Sequence, residues 1–324
     1  MADYDQTAIE TSLRQLHERY LTEAAEPVSF YPPEPIARAH EFGISYVSLA
    51  DGNPITVGDG DVRFPLQSMS KVFTYGVALE DNGRTATLAK VGVEPSGEAY
   101  NAFRFDQVKN RPFNPMVNAG ALVAAELVHG ANRAEKVARV LDRIRCYAGS
   151  QDVNIDESIL KYELATNDRN VGLSYLMRSL GMLDEGTDIE ENLAVYLSLC
   201  AVTVTASELA TMGATLANGG VNLLTEERAL APEHVRDVLT VMLTCGMYDA
   251  AGQWAYDVGM PAKSGVSGGI LVAMPGRFGL GLYSPGLDAA GTSERGVAVC
   301  RELAARYGLH VFADPTQRRF ATRP

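Results

Sequence analysis

Apolar residues recur at helical spacing from the start of the chain. Ile9, Leu13, Leu16 and Tyr20 form one stripe, which predicts an amphipathic helix over residues 7–23. Thr7 and Glu10 have the spacing of a capping box at its start. Four prolines (Pro27, Pro32, Pro33, Pro35) then make residues 26–35 an extended loop. Residues 43–50 and 55–57 read as two strands joined at Asp51-Gly52. A short extended piece, Val62 to Leu66, leads into a helix that opens at Ser68. That helix carries Val72, Tyr75 and Leu79 on its repeat and stops at Asn82-Gly83.

From residue 84 to about residue 220 the pattern is helical, with helices predicted over 118–128, 132–149, 155–166, 168–180 and 188–200. A capping box, Thr205-Ala-Ser-Glu208, starts one more, which ends at Asn218-Gly219-Gly220. Gly92 to Arg111 is irregular and long for a loop in a compact domain, which points to a functional segment such as a lid. Pro232 suits a first helical position, and that helix runs to Thr244. Ile270 to Met274 and Phe278 to Tyr283 are apolar strands around Pro275-Gly276, and Ser293 to Tyr307 is a closing helix. Strands at both ends with helices between them predict an α/β (α+β) fold. A sheet domain, residues 1–67 and 222–324, is interrupted by a helical domain, residues 68–221, with a cleft at their boundary.

Composition narrows the class. The 324 residues are 46% hydrophobic and 21% charged, so the chain is globular. A formal net charge of −12 argues against nucleic acid and anionic membranes as partners. Arg318, Arg319 and Arg323 form a basic cluster, read as a solvated tail. Cys146, Cys200, Cys245 and Cys300 are far apart with no C-x-x-C, which suits buried thiols in a reducing compartment. The opening Met1-Ala-Asp-Tyr-Asp lacks a positive stretch followed by an apolar one, and no apolar run reaches the length of a membrane span; the expected location is cytoplasmic. The histidines His17, His40, His129, His234 and His310 have no ligand spacing, so neither a metal nor a cofactor is expected.

The chemistry centres on Ser68 and Lys71. Three residues apart on a helix, they share a face, so a hydroxyl lies beside an amine. A lysine whose pKa is lowered by burial and nearby positive charge can deprotonate a serine, and the helix N-terminus favours a developing oxyanion. The spacing alone is weak: about one S-x-x-K is expected by chance in a chain of this length, and Ser158 to Lys161 is a second. What distinguishes Ser68 is Lys263-Ser264-Gly265 far downstream, since S-x-x-K opening a helix and a later K-[ST]-G on a sheet edge occur together in serine acyl-transfer enzymes.

Longer strings extend that signal. They are Leu66-Gln-Ser-Met-Ser-Lys71, Glu94-Pro-Ser-Gly97, Asn114-Pro-Met-Val-Asn-Ala-Gly120, Asn167-Asp-Arg-Asn170, Ala214-Thr-Leu-Ala-Asn-Gly-Gly220, Cys245-Gly-Met-Tyr-Asp249 and Pro261-Ala-Lys-Ser-Gly-Val266. In this order, over roughly residues 40–310, the chain resembles the serine-dependent glutaminases. The resemblance implies a β-lactamase/transpeptidase-like fold, an antiparallel sheet flanked by helices, and hydrolysis of L-glutamine to L-glutamate and ammonia. It implies Ser68 as nucleophile, Lys71 as base, and Tyr248 at the reacting centre as a proton relay. The N–H groups of Ser68 and Val266 become the oxyanion hole, and Asn118, Glu163, Asn170 and Tyr196 line the substrate pocket. Lys263 adds positive charge near Lys71. The chemistry of glutamine agrees: Glu163 suits its α-ammonium, Asn170 and Tyr196 suit its α-carboxylate, and Asn118 can hold either the carboxylate or the amide.

Two positions depart from the family pattern. The family has a Tyr-Ile-Pro string before its first strand, whose tyrosine contacts substrate. Here the stretch is Phe30-Tyr31-Pro32-Pro33-Glu34-Pro35-Ile36, and Tyr31 takes that place with the spacing shifted by one. The glycine common before Asp-Arg-Asn is Asn167, which tolerates left-handed backbone. The family also implies a homodimer or homotetramer. Two other readings stand beside this one: a penicillin-recognising serine hydrolase or esterase, against which the chain lacks a Ser-Asp-Asn string, and a catalytically silent glutamine-binding protein.

Overall fold

The computed structural model describes residues 6–23, 27–31, 38–97 and 102–313. Outside the described residues lie the first five, Pro32, Pro33 and Pro35, part of the irregular 92–111 stretch, and the basic Arg318, Arg319 and Arg323.

The chain opens with helix α1 (Gln6–Glu23), then strands β1 (Gly43–Ser48), β2 (Pro54–Gly58) and β3 (Phe64–Pro65). Helices α2 (Ser70–Lys90), α3 (Asn118–Leu127) and α4 (Arg133–Ala148) follow. Next come β4 (Asn154–Ile155), α5 (Glu157–Ala165), α6 (Asp168–Ser179), α7 (Ile189–Cys200), β5 (Val202–Val204) and α8 (Ala206–Ala217). The last part holds α9 (Pro232–Cys245), α10 (Ala251–Asp257), β6 (Ala262–Ser264), β7 (Gly269–Met274), β8 (Phe278–Tyr283) and α11 (Glu294–Tyr307). Two sheets form: an antiparallel five-stranded one in the order β2-β1-β8-β7-β6, and a small one in the order β3-β5-β4.

Strands β7 and β8 are buried along their whole length, so their apolar runs show no alternation. Phe278, Leu280 and Leu282 join Ile9, Leu13 and Leu16 of α1 and Val299 and Leu303 of α11 in one hydrophobic cluster. Helix α8 covers the opposite face through small residues. A Cβ on Gly279 would lie 2.0 Å from Ala214 N, one on Gly281 2.3 Å from Ala206 O, and one on Gly213 2.3 Å from Val272 O. Helix and strands therefore meet backbone to backbone. The helices on the far side of α8, with α2 at their centre, share a second and larger cluster.

Most predicted elements appear within two or three residues. The Thr205 capping box is present, with both reciprocal bonds made. Asn132 caps α4 from its side chain, and Gly149 ends it with φ 63°. Four expectations change. Helix α1 begins at Gln6, so Thr7 and Glu10 lie inside it and Glu10 pairs with Arg14 instead. Gly83, with φ 75°, breaks α2 where expected, but helix resumes beyond it to Lys90, with the Thr87 hydroxyl donating to the Gly83 carbonyl at 2.9 Å. The small sheet was not foreseen, its strands being two or three residues long. Helix α10, seven residues long, was also missed.

The contact between α8 and the sheet gives a direct test. Gly279→Ala is expected to lower unfolding free energy by about 1–3 kcal/mol through overpacking. Gly252→Ala, in α10 with open space at its Cβ, should raise it by about 0.5–1 kcal/mol. Urea unfolding of both variants measures the contrast.

Candidate active site

Ser68 lies in a tight turn, Gln67–Met69, that opens α2. The turn is pinned on both sides. The Leu66 N–H donates to the Val202 carbonyl at 2.7 Å, and the Ser70 hydroxyl donates to the Gln67 carbonyl at 2.8 Å. Gln67 holds φ 49°, a conformation that costs a non-glycine residue about 1–3 kcal/mol and persists only where its surroundings enforce it. Lys71 Nζ donates to Ser68 Oγ at 2.7 Å and to Asn118 Oδ1 at 2.9 Å. Lys71 is 1% exposed. Burial pulls its amine down to about 8, with the nearby Cys200 thiol opposing. The second S-x-x-K has none of this: Ser158 and Lys161 are both exposed, and the Ser158 hydroxyl donates to Asp156.

Lys263, on edge strand β6, is fully buried. Its ammonium donates to the Ser264 carbonyl at 2.6 Å and lies 4.0 Å from the centre of the Tyr248 ring. Burial first, and then the charge on Lys71, push its amine well below the ordinary lysine value. Tyr248 also has a left-handed backbone, φ 55°, and its hydroxyl donates to the same Ser264 carbonyl at 3.2 Å.

Above Ser68 is a cavity of about 240 Å³. This is below the range of about 300–1,000 Å³ for drug-sized ligands and fits a small molecule. Ser68, Asn118, Glu163, Asn170, Tyr196, Val266 and Tyr31 all line it. Lys71, Lys263 and Tyr248 lie behind this lining. Ser68, Asn118 and Asn170 sit in the first turns of α2, α3 and α6 or just before them, so three helix N-termini meet at one space and favour negative charge there. The Val266 N–H donates to no acceptor among the described residues.

The polar lining is densely bonded. Glu163, 4% exposed, accepts from Tyr31, from Gln67 at 2.8 Å and from Asn167 at 3.2 Å. Asn118 Nδ2 donates to Asn170 Oδ1 at 2.9 Å, and the Tyr196 hydroxyl reaches Asn118 Oδ1 at 3.4 Å. Burial raises the Tyr196 hydroxyl well above the ordinary tyrosine value; for Tyr31 burial leads and the Glu163 carboxylate adds to it.

Sequence reasoning missed Gln67, Asn167, Arg169 and Cys200, which also line the cavity. Gln67 lies inside a recognised string, beside the working residues, and Asn167 stands out in sequence only as a departure from the family's glycine. Asn167 corrects an expectation as well: its φ of −107° is not left-handed, so what Asn brings here is its side chain. The irregular 92–111 stretch reaches the cavity wall through Phe103, whose ring centre lies 5.0 Å from the Arg169 guanidinium. Among the described residues no three His, Cys, Asp or Glu side chains group as a metal site. Nor is any described helix long and apolar enough to cross a membrane.

Comparison with known proteins decides the family. The glutaminase family model matches residues 30–312. The chain belongs to the glutaminase family. The glutaminase of Nostoc sp. is 48% identical over 302 residues, 93% of this chain and 89% of that one. The glutaminase of Microcystis aeruginosa is 46% identical over 301 residues, 93% of this chain and 88% of its own. Among solved structures, Mglu in its native form superposes with a TM-score of 0.87 at 40% identity, over 95% of this chain and 74% of Mglu. A probable glutaminase of Bacillus subtilis gives 0.87 at 32% identity, over 96% of this chain and all of that one. The fold is the β-lactamase-like fold of these glutaminases.

The buried lysine pair of this glutaminase costs stability. An amine with a folded-state pKa below its unfolded value binds more protons when unfolded, so stability rises with pH until the unfolded value, near 10.5, is passed. Lys263→Met should therefore fold more stably than the parent at pH 7, by about 1–4 kcal/mol. The gain should shrink toward pH 10. Chemical denaturation across that range measures it.

Proposed function

We propose that this glutaminase hydrolyses L-glutamine to L-glutamate and ammonia through an ester on Ser68, with Lys71 as the base. One observation carries the reading: the Lys71 amine, buried and pulled down to about 8, donates to Ser68 Oγ at 2.7 Å beneath a small polar cavity.

In this mechanism neutral Lys71 takes the Ser68 proton as Oγ attacks the side-chain amide carbon. The oxyanion rests on the N–H groups of Ser68 and Val266, at the N-terminal end of α2. The C–N bond breaks, ammonia leaves with a proton returned from Lys71 by way of Tyr248, and a γ-glutamyl ester remains. Water then adds to the ester carbon, loses a proton to Lys71, and releases glutamate and the Ser68 hydroxyl. Lys263 places a second amine in the same buried region, and the cost of two buried like charges helps keep one of the pair neutral. Glu163 receives the α-ammonium, Asn170 and Tyr196 the α-carboxylate, and Asn118 bridges toward the reacting amide. Tyr31, bonded to Glu163, closes the ammonium side.

The wider setting belongs to the same proposal. The four free cysteines, three of them buried, support a reducing, cytoplasmic location, and family likeness supports a homodimer or homotetramer. The two-part organisation, with residues 1–67 and 222–324 as the sheet part and 68–221 as the helical part, is supported by the site's position beside both Lys263 and α2.

Ammonia release from L-glutamine by the purified protein tests the reading. Ser68→Ala should lower kcat by about 10³-fold or more. Because Lys71 must be neutral to act, kcat/KM should fall on the acid side of a pKa of about 8. Turnover by Ser68→Ala near the parental rate would sink the assignment.

A further inference from the structure

Five side chains make one unbroken, one-directional chain of hydrogen bonds. Lys71 Nζ donates to Asn118 Oδ1 at 2.9 Å. Asn118 Nδ2 donates to Asn170 Oδ1 at 2.9 Å. Asn170 Nδ2 donates to Asn167 Oδ1. Asn167 Nδ2 donates to Glu163 Oε2 at 3.2 Å. Every donor points from the lysine toward the carboxylate, so the three carboxamide dipoles align head to tail between a site of positive charge and a site of negative charge. Chains of this kind polarise one another and strengthen each link.

Asn167 is the member with no partner role of its own in the reaction. It stands at the start of α6, yet its side chain makes no cap to that helix. Its amide is spent wholly on its neighbours, donating to Glu163 and accepting from Asn170. Glu163 already accepts from Tyr31 and Gln67. With Asn167 added, three of the roughly four lone-pair positions of a carboxylate are filled. One remains for an incoming ammonium, and its direction is fixed.

We propose that Asn167 is a positioning residue that couples recognition of the substrate's α-ammonium at Glu163 to the Lys71 base through this chain of amides. The proposal rests on the glutaminase reading above. A glycine at this position would keep the backbone, since φ −107° and ψ 27° suit it and glycine is accepted before a helix. It would cut the chain in the middle. Glu163 would lose one of its three donors, and the Asn170 and Asn118 amides would lose the anchor that sets which way they face. The protonated form of Lys71 would lose the polarised acceptor that favours it, so its pKa would fall further.

The experiment compares parent and Asn167→Gly with two substrates, L-glutamine and 4-carbamoylbutanoate, which is glutamine without its α-ammonium. With glutamine, KM is expected to rise about tenfold while kcat stays within about threefold. With 4-carbamoylbutanoate, compared at a pH above the acid limb, kcat/KM should fall by no more than about threefold, because there is no ammonium for Glu163 to receive. The acid limb of kcat/KM for glutamine should move to lower pH in the variant. A parental KM for glutamine, an equal loss with both substrates, or an unmoved acid limb would each overturn the coupling. Failure of the underlying reading looks different: the parent itself would release no ammonia from glutamine, or would do so undiminished as Ser68→Ala.

Discussion

Lys71 and Lys263 are both buried, and the charge on Lys71 disfavours a charge on Lys263. Their hydrogen-bond acceptors are a serine hydroxyl, an amide oxygen and a backbone carbonyl. Placing two amines in a dry interior is unfavourable, and the fold has to enforce it from both directions. Lys71 is held by α2, whose apolar residues belong to the larger hydrophobic cluster, and Lys263 by an edge strand of the sheet. Neither lysine reaches solvent to relieve the repulsion. The strained backbones of Gln67 and Tyr248 occur at the same place, as expected where packing is used to hold a reactive geometry against local preference.

Much of this arrangement was legible from the sequence because the signals were local or exact in spacing. A capping box at Thr205, glycine at 149, and the apolar stripes of α1 and α11 each state an element boundary in a few residues. Helix α10 and the small sheet were not legible. Two- and three-residue strands carry no periodicity, and they exist only because Leu66 and Asp156 find backbone partners at Val202 and Ala201 after the chain has folded. The pairing of Ser68 with Lys71 was legible because three residues on a helix fix a distance. That Gln67 would brace Glu163 was not, since the two are ninety-six positions apart and meet only in the folded protein.

The cavity is built from groups that mostly satisfy one another. An amide bonded to an amide, or a carboxylate bonded to a phenol, loses little in the absence of substrate, so the site is stable at rest. A ligand must then offer bonds at least as good as those it replaces, and one that breaks such a bond without replacing it leaves a buried partner unpaired at a cost of about 1–3 kcal/mol. Discrimination of this kind depends on rigidity. The convergence of α2, α3, α5, α6 and α7 on one small space supplies it.

Cys200 belongs to the same wall. Its thiol lines the cavity and lies 3.9 Å from the Ser70 hydroxyl, and burial raises it to about 11. At neutral pH only about one part in ten thousand of such a thiol is thiolate, and the thiolate is the form that attacks electrophiles. A group small enough to enter meets a serine hydroxyl with a lysine amine beside it and a thiol that keeps its proton. Two groups that could each carry a reactive oxygen or sulfur thus share one wall, and burial keeps the proton on the sulfur.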